Sequence, residues 1–316
     1  MIGRERVFAA LDHREPDRVP IYIWMFRDDM RKEVVKRYGS LDGFYDMLEI
    51  DMFQTFPAHG MWPKGCSSID EALEIELRDP NDSSIYEPIK RDIEHHKLRK
   101  GRAIFCQTPG VFETTNGVIG IQNSLMELAL HPEKCKLLYE KIARWAAVYA
   151  QNALELGVDV IHISDDWGEN FRMMMNPKAW WELIYPTEII TVQAAKKAGG
   201  RVSLHCDGYF YDVLDGVVEM GIECVHPVQQ SAGMDVRRFK REYGDKLALY
   251  GGLDIRYILP RAPLEELEGE IRELFRVMKP GGGFIFCTAH TVQPDTSLDR
   301  VEFAYKIALE EGRYKV

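Results

Sequence analysis

Arg201-Val-Ser-Leu-His-Cys-Asp-Gly-Tyr209 is the stretch of this chain most able to do chemistry. Apolar and β-prone residues run into His205, Cys206 and Asp207, and Gly208 ends the run. Such a segment is a buried strand that delivers three reactive side chains at its C-terminal end. Side chains alternate along a strand, so His205 and Asp207 point one way and Cys206 the other. A histidine and a carboxylate side by side can share a metal ion or a proton, and they can equally begin a solvated loop. Further polar groups follow other strand-like runs: Trp24 and Arg27, His59, Asp165 and Asp166, Tyr209, His226 and Gln229, Asp254, and His290. Taken singly, each has a plain structural reading. Asp165 or Asp166 can cap the next helix, Asp254 after Gly251-Gly252 can be a turn residue, and Cys206 and Cys287 can be small buried apolar groups.

The elements that must position these groups follow from the periodicity. Strand-like segments fall near 20, 51, 104, 159, 202, 223, 248 and 285, and almost all are separated by helical stretches. One helix near 132–156 places Leu138, Ile142, Trp145, Tyr149 and Leu156 at helical spacing and ends at Gly157. Alternating strands and helices predict a parallel sheet, and eight such units predict closure into a distorted (β/α)8 barrel. A helix over 3–12 precedes it, and an irregular excursion at about 60–100 carries a small hairpin and a polar helix. The whole of 1–316 reads as one barrel domain. An open doubly wound sheet is the runner-up, but no strand runs into a GxGxxG or GxxxxGK[ST] turn.

In a barrel of this kind chemistry gathers at the C-terminal ends of the strands. His205, Asp207 and His290 would then open onto one mouth as three nitrogen and oxygen ligands with an open position, the arrangement of a catalytic zinc or related divalent ion. The metal-free alternative is that these groups bind a polar substrate or relay protons.

Composition excludes several classes. The formal net charge is −10 with 28% charged residues, and no Lys/Arg run reaches five, so nucleic acid and anionic membrane are not expected partners. No apolar run approaches ~20 residues, and Met1-Ile-Gly-Arg-Glu-Arg6 opens a polar helix, which predicts no membrane span and no signal peptide. The six cysteines form no CxxC pair, which suits reduced thiols in a cytoplasmic enzyme.

Several longer motifs carry a resemblance. Arg4-Glu-Arg-Val-Phe-Ala-Ala-Leu-Asp-His-Arg-Glu-Pro-Asp-Arg-Val-Pro20, Asp165-Asp-Trp-Gly168, His205-Cys-Asp-Gly208, His226-Pro-Val-Gln229, Gly251-Gly-Leu-Asp254 and Gly281-Gly-Gly-Phe-Ile-Phe-Cys-Thr-Ala-His-Thr-Val-Gln-Pro-Asp295 together resemble the uroporphyrinogen decarboxylase superfamily. That superfamily includes the decarboxylase proper and zinc-dependent, corrinoid-linked methyltransferases, and its fold is a distorted (β/α)8 barrel. The decarboxylase would carry an Arg-rich segment after the first strand to hold its polycarboxylate substrate. Here that place reads Met25-Phe-Arg-Asp-Asp-Met-Arg31, with two aspartates that repel a polyanion.

The methyltransferase branch implies zinc on a His-x-Cys pair and a later cysteine, positions that hold His205, Asp207 and His290 here. This harder donor set suits polarising an oxygen better than managing a thiolate. The expected activity is methyl transfer from a small O- or N-methylated donor to a corrinoid carried by a separate protein. Asp165 or Asp166 would supply a proton, His205 and Asp254 would assist, and Trp24, Arg27, Tyr209, His226 and Gln229 would bind substrate. Metal-free decarboxylation is the alternative, and a barrel that binds a small ligand without turnover is a third reading. The resemblance also implies a homodimer.

Overall fold

The computed structural model describes residues 1–24, 28–58 and 65–314. Among these residues seven strands are regular: β1 (Met52–Thr55), β2 (Ala103–Pro109), β3 (Val160–Ser164), β4 (Arg201–His205), β5 (Cys224–His226), β6 (Ala248–Leu253) and β7 (Phe284–Thr288). Their order in the sheet is their order in the chain, and the pairings from β2 to β4 and from β5 to β7 are parallel. Every residue of β3, β6 and β7 is buried, as expected for parallel strands covered on both faces.

The predicted strand near 20 does not form a regular strand. Ile21 makes an isolated parallel bridge to Phe286. The Tyr22 N–H donates to the Phe286 carbonyl at 2.9 Å, Phe286 donates to Pro20 at 2.9 Å, and Asp51 donates to Ile21 at 2.8 Å. Pro20 has no N–H, and the side chain of Asp51 takes the N–H of Ile21 at 2.8 Å, so donors that a ladder would use are missing or diverted. The segment still ties β7 to the residues before β1. With this irregular eighth position the fold is a distorted (β/α)8 barrel.

Contacts group the chain into two compact units, one of Met1–Phe53, Lys100–Ala103 and Cys224–Val316, the other of Gln54–Arg99 and Ile104–Glu223. In the first, the helix Gly3–Leu11 is anchored by charge. Arg6 reaches Asp17 at 2.6 Å and Asp51 at 3.0 Å, and Arg18 reaches Asp51 at 2.5 Å. Asp51 is 1% exposed, and two guanidinium groups offset the cost of burying its charge. Part of the opening motif is therefore structural.

Two helices, Asp28–Tyr38 and Leu41–Met47, precede β1, and Ser40 caps the second by accepting from the Gly43 N–H. In the second unit, the 65–99 part of the excursion holds the helices Ile69–Glu74 and Glu87–Asp92 and a wider-wound turn over Ile93–Arg99. The expected hairpin is not present among the described residues. Two helices that periodicity did not single out, Val111–Ile119 and Ile121–Leu130, follow β2. The long helix Pro132–Glu155 lies where it is predicted and buries Leu138, Ile142, Trp145 and Tyr149. No helix is long and apolar enough to cross a membrane among the described residues.

Candidate active site

The strand register sets the height of each functional group. Pro109 pairs with Ser164 and Ser164 with His205, so the residues leaving β2, β3 and β4 emerge at one level. Backbone bonds continue past the strand ends: Gly110 N–H to Ser164 O at 2.8 Å and Asp165 N–H to His205 O at 2.9 Å. Glycines allow this close approach. A Cβ on Gly110 would stand 2.3 Å from the Asp165 Cβ, and one on Gly208, whose φ is +78°, would stand 2.5 Å from the Gly168 backbone.

Around this convergence sit five carboxyl groups and one imidazole. His205 Nε2 lies 3.6 Å from Asp166 Oδ1 and 3.9 Å from Asp207 Oδ1. Asp166 also accepts the Asp207 N–H at 2.7 Å. Cys206 turns away as alternation requires. Its sulfur accepts the Trp167 N–H at 3.3 Å, and burial pushes its thiol well above the ordinary range. His205 and Asp207, beside Asp166, offer hard nitrogen and oxygen donors of the kind that bind a divalent ion. The donor set fits a metal of the zinc or magnesium type.

Asp165 and Asp166 do different things. Asp165 is fully buried, and its two oxygens are occupied: Oδ1 accepts the Glu113 N–H at 2.6 Å and Oδ2 the Trp167 indole N–H at 2.7 Å. Burial pushes its carboxyl up to about 7 against these donors. Asp207 is raised to about 6, first by burial, with His205 opposing and Asp166 adding to the rise. Glu113 and Glu188 escaped sequence reasoning because each lies inside a helix, distant in the chain from the strand-end motifs. Glu113 accepts from the Ser164 hydroxyl at 2.8 Å. Crowding by protein atoms and the charges of Asp166, Asp165 and Asp207 push its carboxyl up to about 8, although its side chain still reaches solvent. Glu188, fully buried, takes the Val111 N–H at 3.1 Å and leaves Oε1 without a hydrogen-bond partner. Tyr209 bonds Asp212 at 3.2 Å at the edge of this region.

The other unit gathers the remaining expected residues into an aromatic group. Trp24 is 4% exposed and stacks on His226 with ring centres 4.6 Å apart, and His226 packs on Tyr250 at 4.4 Å. His290 tilts against Trp24 at 5.8 Å. Thr288 fixes the group, accepting the Trp24 N–H at 3.1 Å on its hydroxyl and the His226 Nε2–H at 3.4 Å on its carbonyl. Val228, between His226 and Gln229 in the chain, holds φ +54°, a conformation that strains a β-branched residue. Gln229 is half-buried in the following turn.

Asp254 stands apart from both groups in what it does. It accepts the N–H groups of Arg256, Tyr257 and Ile258 at 3.0, 2.8 and 3.0 Å and so caps the turn after β6. Of the expected residues, Asp165, Asp166, His205 and Asp207 belong to one unit, and Trp24, His226 and His290 to the other. Arg27 and His59 lie outside the described residues. A cavity of about 430 Å³ lined by Met47, Leu48, Glu302 and Lys306 holds none of the expected residues.

Comparison with known proteins agrees with this geometry. Residues 92–310 match the family described as uroporphyrinogen decarboxylase (URO-D). The uroporphyrinogen decarboxylase of Hamiltonella defensa is 26% identical over 181 residues, covering 55% of this chain and 47% of that protein. That of Helicobacter acinonychis is 24% identical over 242 residues, covering 73% and 66%. The chain thus spans from about half to about two thirds of the length of these relatives. A solved structure, a methyltransferase from Methanosarcina mazei, superposes on 98% of this chain and 99% of its own with a TM-score of 0.74 and 16% identity, a likeness of fold. The chain belongs to the uroporphyrinogen decarboxylase (URO-D) family.

Proposed function

We propose that this protein is an enzyme that transfers a methyl group from a small O- or N-methylated donor to a corrinoid carried by a separate protein. The observation that carries this reading is the collection of Glu113, Asp165, Asp166 and Asp207 around His205, with the carboxyls of Glu113, Asp165 and Asp207 raised toward neutral pH. Burial is the first cause of each rise, and the charge of a neighbouring carboxyl adds to it. Such a surface repels the polycarboxylate a porphyrinogen decarboxylase must hold, and it can give a proton to a departing oxygen or nitrogen.

His205, Asp207 and His290, the set offered by the sequence, would hold a divalent cation such as zinc, which when bound would polarise the heteroatom bearing the methyl group. The protein's own groups do the rest. The Asp207–Asp166 hydrogen bond fixes the approach of the two loops, and a carboxylic acid of the cluster protonates the heteroatom as its bond to carbon breaks.

The test is a screen of methyl ethers and methylamines against reduced cobalamin, read by the absorbance of methylcobalamin, together with elemental analysis of protein purified without chelator. Methyl transfer with about one metal per chain is expected. No transfer from any donor, with release of carbon dioxide from uroporphyrinogen, would replace this reading with the decarboxylase activity named for the curated relatives.

A further inference from the structure

We infer that Gln107, on the inner face of β2, selects the methyl donor by giving a hydrogen bond from its amide nitrogen to a neutral oxygen of that donor, a carbonyl or hydroxyl set beyond the reacting heteroatom. The inference rests on the methyl-transfer reading. Alternation along β2 shows which way Gln107 points. Cys106 faces outward, with its sulfur 3.1 Å from the hydroxyl of Tyr149 on the helix Pro132–Glu155. Phe105 and Gln107 therefore face inward, and the Phe105 ring meets the His162 ring edge-on at 6.1 Å.

The register sets Gln107 beside His162 and His162 beside Ser203. This row lies below the row of Ser164 and His205 by a depth of ~6.6 Å, the rise of two strand residues. Gln54 on β1 joins the row by donating from Nε2 to Gln107 Oε1. Inward rows of a barrel are ordinarily filled by Val, Ile and Leu, so four polar side chains in one row need hydrogen-bond partners.

Gln107 differs from the other three. His162 Nδ1 and the Ser203 hydroxyl share a hydrogen bond of 2.6 Å, and both residues are fully buried. Gln54 is 2% exposed. Gln107 is half-buried. Its Oε1 is taken by Gln54, and its Nε2 has no hydrogen-bond partner among the described residues. The outer side of this part of β2 is closed by Tyr149, whose hydroxyl also donates to the Gln107 carbonyl at 3.2 Å, so a ligand reaches the Gln107 amide from the inner side.

An amide nitrogen presented in this way recognises an oxygen acceptor. Glu113, Asp166 and Asp207 stand at the strand ends above, and their carboxyl groups disfavour an anionic acceptor. A neutral oxygen is left. An N–H···O contact takes ~2.9 Å of the ~6.6 Å between rows, which sets the acceptor about two or three covalent bonds from the reacting atom.

The experiment compares methoxyacetone with isobutyl methyl ether, which has a methyl branch in place of the carbonyl oxygen and otherwise the same shape. Initial rates of methyl transfer to reduced cobalamin should give a kcat/KM ratio of about 10 or more in favour of methoxyacetone in wild type. In Gln107→Met, which keeps the side-chain length and lacks the amide, the ratio should fall to about 1. Gln107→Glu keeps an acceptor for Gln54 and puts oxygen in place of the donating nitrogen, and its ratio should also fall to about 1 or lower. A wild-type ratio near 1, or a preference retained in either folded variant, overturns the assignment.

A second measurement needs no turnover. In ¹H–¹⁵N spectra the side-chain amide protons of Gln107, identified by their loss in Gln107→Met, should shift downfield on addition of methoxyacetone and stay in place with isobutyl methyl ether. The same response to both ethers overturns the inference whatever the activity. If wild type transfers a methyl group from neither ether, the methyl-transfer reading falls, and the amide shift alone decides whether Gln107 holds a neutral oxygen.

Discussion

The ends of β3 and β4 and the ends of β5 to β7 occupy equivalent addresses in the barrel plan and are built from opposite chemistry. At the first, carboxyl groups crowd one imidazole, and hydrogen bonds from backbone N–H groups hold them. At the second, the His226 imidazole is packed between an indole and a phenol, and a single threonine bonds both Trp24 and His226. Crowded carboxylates store electrostatic cost, which is released when a cation or proton arrives. Packed aromatic rings store none and contribute mainly apolar burial. The first region is therefore suited to reaction, and the second to stability.

That contrast can be broken most forcefully by exchanging the consequences of two substitutions. His205→Ala or Asp207→Ala should lower methyl transfer by about 1,000-fold or more and remove bound metal, with little change in melting temperature. Trp24→Ala should do the reverse, costing about 3 kcal/mol of stability while metal content by elemental analysis stays at the wild-type level. Metal lost in Trp24→Ala, or retained in His205→Ala, would erase the distinction.

A smaller effect concerns pH. The carboxyls of Asp207 and Asp165 stand at about 6 and about 7 in the folded chain, above the ordinary value of about 4. The folded state then holds protons that the unfolded chain has released. Their contribution to stability is complete below about pH 4 and is lost as pH rises through the window from about 6 to about 7. Calorimetry should show the melting temperature falling across that window. Glu188, buried and raised well above the ordinary range chiefly by burial, adds to the decline. Glu188→Gln keeps an acceptor for the Val111 N–H and should raise stability at pH 8 by on the order of 1–3 kcal/mol, with a smaller gain at pH 5. Equal gains at both pH values would show that its charge is not the source.

The smallest expected effect is at Asp254. Asp254→Ala removes the acceptor for three N–H groups and should cost about 1 kcal/mol with methyl transfer preserved, measured by melting and by initial rate. A large loss of rate would return Asp254 to the catalytic group in which the sequence placed it.

Much of the fold could be read from the chain. The strands near 104, 159, 202, 223, 248 and 285 and the helix ending before Gly157 lie where periodicity places them, because strands covered on both faces and amphipathic helices write their burial directly into residue order. The pairing of His205 with Asp207 was also legible, since alternation along β4 is a local property. The 20–24 segment was misread as a regular strand: its apolar run is strand-like, but Pro20 and the distant Asp51 divert its hydrogen bonds.

The division of labour between Asp165 and Asp166 and the entry of Glu113 and Glu188 were decided by tertiary structure alone, whereas the capping bonds of Asp254 are local and match the turn reading open to it in the sequence. Adjacent aspartates look alike in sequence. Only the register of β2, β3 and β4 shows which carboxylate meets the N–H groups of a helix turn and which faces His205. Sequence fixes the kinds of groups a strand end can offer, whereas protonation and reach depend on neighbours far away in the chain, through burial and charge.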